Sequence, residues 1–441
     1  MNTIQVRNPR TGENDYSFEA TKADEISSIV SELRQNQASW AAKSIDERAD
    51  VLDQWAKMVA ESGELLDALI ADTGRYFICT GEVAQMTKMV PGWRAIGNRV
   101  FSEQEPLQSS VPTVTYTHQY KAFEVVGIIG PWNFPFLITL IDLIPALMAG
   151  STVIVKPSEI TPRFIKPIQD IIQKIPELHK VCRFVQGGGQ TGQDLIDNVD
   201  ALCFTGSVKT GKLVYESGAR NFIPVYAELG GKDPVIVTEN ADPLESARII
   251  LRASVQATGQ ACQSIERVYV HQSIADQLIE SLVEQASKVT LNYPDVRKGH
   301  IGPLIFDKQA DIIADHLEDA KEKGATILTG GEIEDHGGGK WVKPTVIKGE
   351  TEWYDILLAV QEAMTPYARR GIHANVDFFA GAVYYLLGIP SDLFVPIFAV
   401  GRIPGWTIQI LEQMRHNILI RPLLQYTGER SKEYIPIDKR D

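Results

Sequence analysis

Val125-Val126-Gly127-Ile128-Ile129-Gly130-Pro131-Trp132-Asn133-Phe134-Pro135 opens with a short, mostly β-branched run, 125–129, that ends in a glycine-proline turn. A second such run, Thr152-Val153-Ile154-Val155, follows an apolar helical stretch near 140–148. Short apolar runs bounded by breakers and separated by helical periodicity read as buried strands of a parallel sheet. The rhythm continues with a helix near 164–174 and strands at 183–185 and 201–204, so the fold class is α/β with a Rossmann-like sheet. A sliding window over 123–155 could mistake this region for a membrane span. Pro131, Pro135 and Pro145, with Gly127, Gly130 and Gly150, divide it into pieces too short for one.

Parallel sheets place ligands beyond the C-terminal ends of their strands. The turns there are Gly130-Pro131-Trp132-Asn133-Phe134-Pro135, Lys156-Pro157-Ser158-Glu159, Gly187-Gly188-Gly189-Gln190-Thr191-Gly192 and Thr205-Gly206-Ser207. The third matches a dinucleotide fingerprint in form, but no acidic residue ends a strand about twenty positions on. Ser207 opens a helix through Lys212 and Tyr215. It reads equally well as an ordinary N-cap or as part of a pyrophosphate site.

Outward from this core, positions 22–90 show helical spacing, with Ile26, Ile29, Val30 and Leu33 on one face and Val51, Leu52, Trp55 and Met58 on another. Positions 111–123 alternate as an extended hairpin (Val114, Tyr116, Tyr120), which points to a neighbouring subunit and a homo-oligomer. Beyond the first sheet, strands at 235–237 and 268–270 and helices at 247–253, 274–289 and 312–321 form a second α/β unit. A strand near 324–328 and an extended segment at 340–347 follow.

The 441 residues suggest two or three domains. A net charge of -13 disfavours nucleic acid or an anionic membrane surface as partner and favours small molecules. Cys79, Cys182, Cys203 and Cys262 stand far apart, with no CxxC pair and no histidine at ligand spacing, so neither a metal site nor a disulfide framework is expected. The N-terminus has no secretory h-region, and a reducing cytoplasm fits.

The chemistry-bearing stretches are Gly259-Gln260-Ala261-Cys262 and Glu228-Leu229-Gly230-Gly231-Lys232. A thiolate can attack an electrophilic carbon, and a carboxylate can later take a proton from the water that releases the product. Taken alone, the pair reads more readily as a small buried cysteine and a solvated glutamate.

Five motifs in order change that reading: GPWNFP at 130–135, KPSE at 156–159, FTGS at 204–207, ELGGKDP at 228–234 and GQAC at 259–262. Residues 8–348 thereby resemble the aldehyde dehydrogenase superfamily. The resemblance implies an NAD-dependent oxidation of an aldehyde to an acid, with Cys262 as nucleophile and Asn133 and the Cys262 N–H as oxyanion donors. Glu228 would be the base for hydrolysis. It also implies that Lys156 and Glu159 hold the adenosine ribose and Ser207 the pyrophosphate, with Gly206, Trp132 and Gly230 completing the cofactor site. A carboxylate at Glu159 would repel a 2′-phosphate, so NAD is favoured over NADP.

After 342–347 the family's nicotinamide-ribose glutamate motif and its closing glycine-rich segment are not found. From 352 to 441 the chain instead resembles the C-terminal end of citrate or 2-methylcitrate synthase, through Asn375-Val376-Asp377-Phe378-Phe379-Ala380-Gly381 and Arg421-Pro422-Leu423-Leu424-Gln425-Tyr426 among others. That resemblance implies an all-α tail, Asp377 as an enolising base, and Arg402 and Arg421 as carboxylate binders. His373 and His416 do not stand in that family's motif positions. The expected organisation is an NAD-binding domain at 1–227, a truncated catalytic domain at 228–349 and a helical citrate-synthase-like fragment at 350–441. The alternatives to a dehydrogenase are an acyltransferase fragment and a non-catalytic fusion product.

Overall fold

A computed structural model of the chain describes residues 3–101, 106–117 and 119–349. Residues 1–350 and 351–441 are separate compact units. The all-α reading of the tail, with Asp377, Arg402 and Arg421, lies outside the described residues.

The first unit opens with an antiparallel hairpin of β1 (Thr3–Arg7) and β2 (Asn14–Glu19). Four helices follow: α1 (Ala23–Ala41), α2 (Ile45–Ala60), α3 (Gly63–Thr73) and α4 (Tyr76–Val100). Ser44 starts α2 with a reciprocal box, in which Glu47 N–H donates to Ser44 Oγ at 3.2 Å and Ser44 N–H donates to Glu47 Oε2 at 2.7 Å. The expected hairpin at 111–123 is displaced. Its paired strands are β3 (Leu107–Gln108) and β4 (Thr115–Tyr116), and the alternating apolar residues beyond 116 stay exposed instead of pairing.

The main sheet is built from β5 (Val125–Ile129), α5 (Leu137–Ala149), β6 (Thr152–Lys156), α6 (Ile165–Gln173), α7 (Pro176–His179), β7 (Cys182–Phe184), α8 (Gly189–Ile196), β8 (Ala201–Thr205), α9 (Val208–Arg220) and β9 (Val225–Glu228). All five strands run parallel in the order β7-β6-β5-β8-β9. Alternate residues feed two cores. Val126, Ile128, Val153, Val155 and Ala201 pack toward α5, while Val125, Ile129, Ile154, Leu202 and Phe204 pack on the opposite face. The order reverses between β5 and β8, so a ligand crevice lies outside their carboxyl ends. The turns at 130–135 and 206–207 flank that crevice.

A smaller α/β region follows, with β10 (Asp233–Val237), α10 (Pro243–Val255), β11 (Ile265–Val270), α11 (Gln272–Ser287), α12 (Lys308–Glu322), β12 (Thr326–Thr329), β13 (Ile333–His336), β14 (Gly339–Val342) and β15 (Val346–Lys348). β10 and β11 are parallel, and β12 pairs antiparallel with β15. The single extended segment expected at 340–347 is thus two strands, since β14 turns back on β13. Among the described residues no helix is long and apolar enough to cross a membrane.

One buried cation fixes α5 and hence the turn before it. Arg48 is 6% exposed. Its Nε donates to the Met148 carbonyl at 2.9 Å, and its Nη1 donates to the Ala41 carbonyl at 3.1 Å and also to that of Lys43. A positive charge thereby satisfies the free carbonyls at the C-terminal ends of α1 and α5 together. Arg48→Met keeps the stem but strands those carbonyls, and should lower stability by about 3 kcal/mol. A urea midpoint equal to the parent's, with an unchanged slope, would refute this.

Candidate active site

Cys262 follows a loop with an unusual backbone. After α10 the chain makes one 3-10 turn, Gln256–Gly259, in which Ala257, Thr258 and Gly259 take φ of 57, 61 and 70°. Glycine adopts this region freely, whereas Ala257 and Thr258 each do so at a cost of about 1–2 kcal/mol. Side chains over-determine the shape. Thr258 Oγ1 donates to the Gly302 carbonyl at 2.9 Å, Gln260 Nε2 donates to the Pro303 carbonyl at 3.0 Å, and Gln260 Oε1 accepts from Ile305 N–H at 2.9 Å. The loop thus presents its cysteine outward. Cys262 is exposed, while Cys79 and Cys182 are buried and pushed up to about 12 by that burial. Accessible thiols react and apolar buried ones do not.

Asn133 comes from the turn after β5 and meets the cysteine loop directly. Its Nδ2 donates to the Gln260 carbonyl at 2.9 Å, and its own carbonyl accepts from Arg75 Nη1 at 2.9 Å. The second Nδ2 proton is left for another acceptor. Beside it Trp132 packs on Phe306, ring centroids 6.1 Å apart, which ties the same turn to the 302–306 segment.

Glu228 is the last residue of β9, exposed, and in register with Thr205 of β8. Its carbonyl accepts from Gly206 N–H at 3.1 Å. Three residues on, the chain passes so close to the cysteine that a Cβ at Gly231 would lie 2.9 Å from the Cys262 carbonyl. That close approach explains one glycine of the pair. At Gly230 a Cβ would meet nothing within 4 Å among the described residues. Asn133, Glu228 and Cys262 are therefore brought together through their loops, without hydrogen bonds among their own side chains in the described residues.

The proposed adenosine-side residues lie at the ends of β6 and β8. Lys156 is 4% exposed, so it is no surface lysine. Its Nζ donates to the carbonyls of Pro157 at 2.9 Å and Gly187 at 2.8 Å and stands 3.5 Å from Glu159 Oε2. Burial lowers the pKa of this ammonium, and Glu159 partly opposes the shift. Ser207 caps α9, its Oγ accepting from Thr210 N–H at 3.2 Å. The capping bond leaves the N–H groups of Val208 and Lys209 without an intrahelical acceptor, as at any helix start. The donor set fits a dinucleotide: a half-buried carboxylate for ribose hydroxyls, a helix N-terminus for phosphate, and the open space beside Gly230. Among the described residues no cluster of metal-ligating side chains occurs.

Residues to which the motifs assign no role also belong here. Gln260 sits inside the cysteine motif, but its role as a three-way tie shows only in its bonds. Arg75 and Glu82 stand behind the Asn133 turn, and their one sequence signal is charge within an otherwise half-apolar helix start. Asp142 of α5 is a further carboxyl. Its pKa is raised to about 6, first by burial and then by the Glu228 charge.

Residues 1–366 match the "Aldehyde dehydrogenase family", and 340–423 match "Citrate synthase, C-terminal domain". The chain belongs to the aldehyde dehydrogenase family. A relative from Mycolicibacterium smegmatis, provisionally named a succinate-semialdehyde dehydrogenase using NADP(+), is 32% identical over 349 residues, covering 78% of this chain and 67% of the relative. A similarly named protein of Mycobacterium ulcerans is 31% identical, covering 75% of this chain and 64% of its own length. The chain thus spans about two thirds of the curated relatives it matches. Among solved structures, a provisionally named aldehyde dehydrogenase from Anabaena variabilis superposes with a TM-score of 0.76 at 43% identity, covering 78% of this chain and 74% of that one. Lactaldehyde dehydrogenase from Escherichia coli gives 0.71 at 28%, covering 78% and 73%. The family match runs on to 366, past the boundary expected at 348, and overlaps the citrate synthase match.

The Asp142 carboxyl titrates higher in the folded chain than its ordinary value of 3.8. The folded state therefore binds the extra proton, and stability is lost as pH rises through about 6. The groups that face it are Glu228 from β9 and Cys203 from β8. In Asp142→Asn the fall in Tm between about pH 4 and pH 6 should be shallower than in the parent. Parallel Tm curves would rule this out.

Proposed function

We propose that this chain oxidises an aldehyde to a carboxylic acid at Cys262, with a nicotinamide dinucleotide as hydride acceptor. The observation that supports it most is the convergence of three motifs on one spot: Asn133 Nδ2 on the Gln260 carbonyl, and Gly231 against the Cys262 carbonyl. Cys262 Sγ, as thiolate, adds to the aldehyde carbon. The oxygen left with negative charge is held by the free Asn133 Nδ2 proton and the Cys262 N–H, an effect of about 3 kcal/mol per donor. Lys156 and Glu159 would hold the adenosine ribose, and Ser207 with Gly206 the pyrophosphate. Trp132 and Gly230 line the approach. The chemistry supplied by the bound dinucleotide is hydride acceptance. Glu228 then takes a proton from the water that cleaves the Cys262 thioester, releasing the acid and restoring the thiol.

NAD is our reading over NADP, because the Glu159 carboxylate accepts ribose hydroxyls and opposes a 2′-phosphate. The names of the mycobacterial relatives pull the other way. The division at 227/228 and self-association through the exposed 107–116 hairpin belong to the same reading.

The match of 340–423 to a citrate synthase C-terminal domain supports a second reading, an acyl-transfer fragment using Asp377, Arg402 and Arg421. We rank it below the first because the motif histidines of that family are not in the chain. Thiol release from acetyl-CoA with oxaloacetate by the purified chain would reverse the ranking.

Purified chain given an aldehyde panel, including succinate semialdehyde, should form NADH faster than NADPH. Cys262→Ala should abolish this. Glu228→Gln should keep a first-turnover burst and lose steady-state rate by roughly a hundredfold or more. Equal rates in Cys262→Ala and parent would sink the assignment.

A further inference from the structure

The turn that carries Asn133 is gripped from behind by two ionisable residues, one at the N-cap of α4 and one within it, and none of the chemistry above uses them. Arg75 precedes α4 and Glu82 lies seven positions on, two turns along the same face. They are 3% and 2% exposed. Arg75 Nη1 donates to the Asn133 carbonyl at 2.9 Å, and its guanidinium lies over the Phe134 ring, 5.8 Å from the centroid. Glu82 Oε2 accepts from Leu137 N–H at 2.9 Å. Leu137 begins α5, which has no side-chain cap of its own, so Glu82 supplies one from another helix.

One cation thus holds the turn at Asn133 and one carboxylate holds it where α5 starts. Arg75 reaches further. Its stem fills the space at Gly302, where a Cβ would lie 3.0 Å from Arg75 Cγ. Gly302 is also the residue whose carbonyl accepts from Thr258 of the cysteine loop. The guanidinium therefore stands between the Asn133 turn and the anchor of the Cys262 loop. Such a pair is a poor device for stability, because buried charges lose solvation that their attraction barely restores. Arg75 Nε and Nη2 and Glu82 Oε1 make no hydrogen bond among the described residues. Fixed placement of the turn accounts for the pair.

Resting on the dehydrogenase reading, we propose that Arg75 and Glu82 are positioning residues that set the place of Asn133 Nδ2 relative to Cys262. Their replacement should slow attack on the aldehyde without changing the thiol's own reactivity. A displacement of about 1 Å costs up to a hundredfold in rate.

The test uses Arg75→Met, Arg75→Lys and Glu82→Gln in the full chain. The burst rate of NADH per active Cys262 should fall roughly tenfold or more in Arg75→Met, less in Glu82→Gln, and partly recover in Arg75→Lys. Alkylation of Cys262 by iodoacetamide needs no oxyanion donor and should stay within about twofold. A purely structural role would instead lower burst amplitude and Tm while leaving the rate per active site alone, and that result overturns the proposal. Hydrogen exchange of peptides across 130–137 should quicken in Arg75→Met and Glu82→Gln, with β6 unchanged. Unchanged exchange there also overturns it. A parent that forms no NADH with any aldehyde would defeat the dehydrogenase reading, and the exchange experiment would still decide the clamp. Should Arg75→Met not fold, the other two variants are judged by the same rate and exchange criteria.

Discussion

The hydrogen bond from Asn133 Nδ2 to the Gln260 carbonyl ties together two loops that are far apart in the chain. One loop ends a strand of the parallel sheet, and its position follows from the buried faces of β5 and α5. The other follows α10 and holds three consecutive left-handed residues. Neither loop alone defines a site. Joined, they place an amide donor beside an exposed thiol, and the Gly231 approach brings the Glu228 stretch to the same place. The left-handed run costs free energy locally, and the bonds from Thr258 and Gln260 to the 302–305 segment offset it.

Buried charge is used here for placement. Arg48 joins the ends of α1 and α5, Arg75 and Glu82 bracket the turn before α5, and Lys156 bonds to the carbonyls on either side of its strand end. Each is an ionised or ionisable group surrounded by backbone dipoles instead of water. Hydrogen bonds to such groups are stronger and more directional than neutral ones. α5 is held this way at both of its termini, by Glu82 at the first and Arg48 at the second. That rigidity is what a site assembled from loops requires, since loops are otherwise the most yielding part of a domain.

Membership of the aldehyde dehydrogenase family rests on residues 1–366, and the citrate synthase match overlaps its end. The dehydrogenase motifs all precede that overlap, and the candidate reacting and cofactor-side residues lie between Trp132 and Cys262. Within that span the described structure is continuous. First-turnover measurements separate acylation of Cys262 from the hydrolysis that completes the cycle.

The parallel sheet was legible because strand burial on two faces leaves continuous apolar runs, and β5, β6 and β8 lie at the positions those runs mark. The helices were legible from period alone. The alternation at 111–123 lies late of the hairpin's pairing at 107–108 and 115–116, because alternation without burial does not fix register. β1 and β2 gave no signal, being mostly exposed and polar. Cys262, Glu228 and Asn133 could be named from ordered motifs. Gln260 as a tie, and Arg75 and Glu82 as a clamp, could not. By itself the sequence determined the family and the sheet and named candidates for the reacting groups, since those leave local patterns of residue type. Tertiary structure decided which carbonyl the Asn133 amide meets and which charges stand behind it, because a bond spanning 127 positions leaves no local pattern to read.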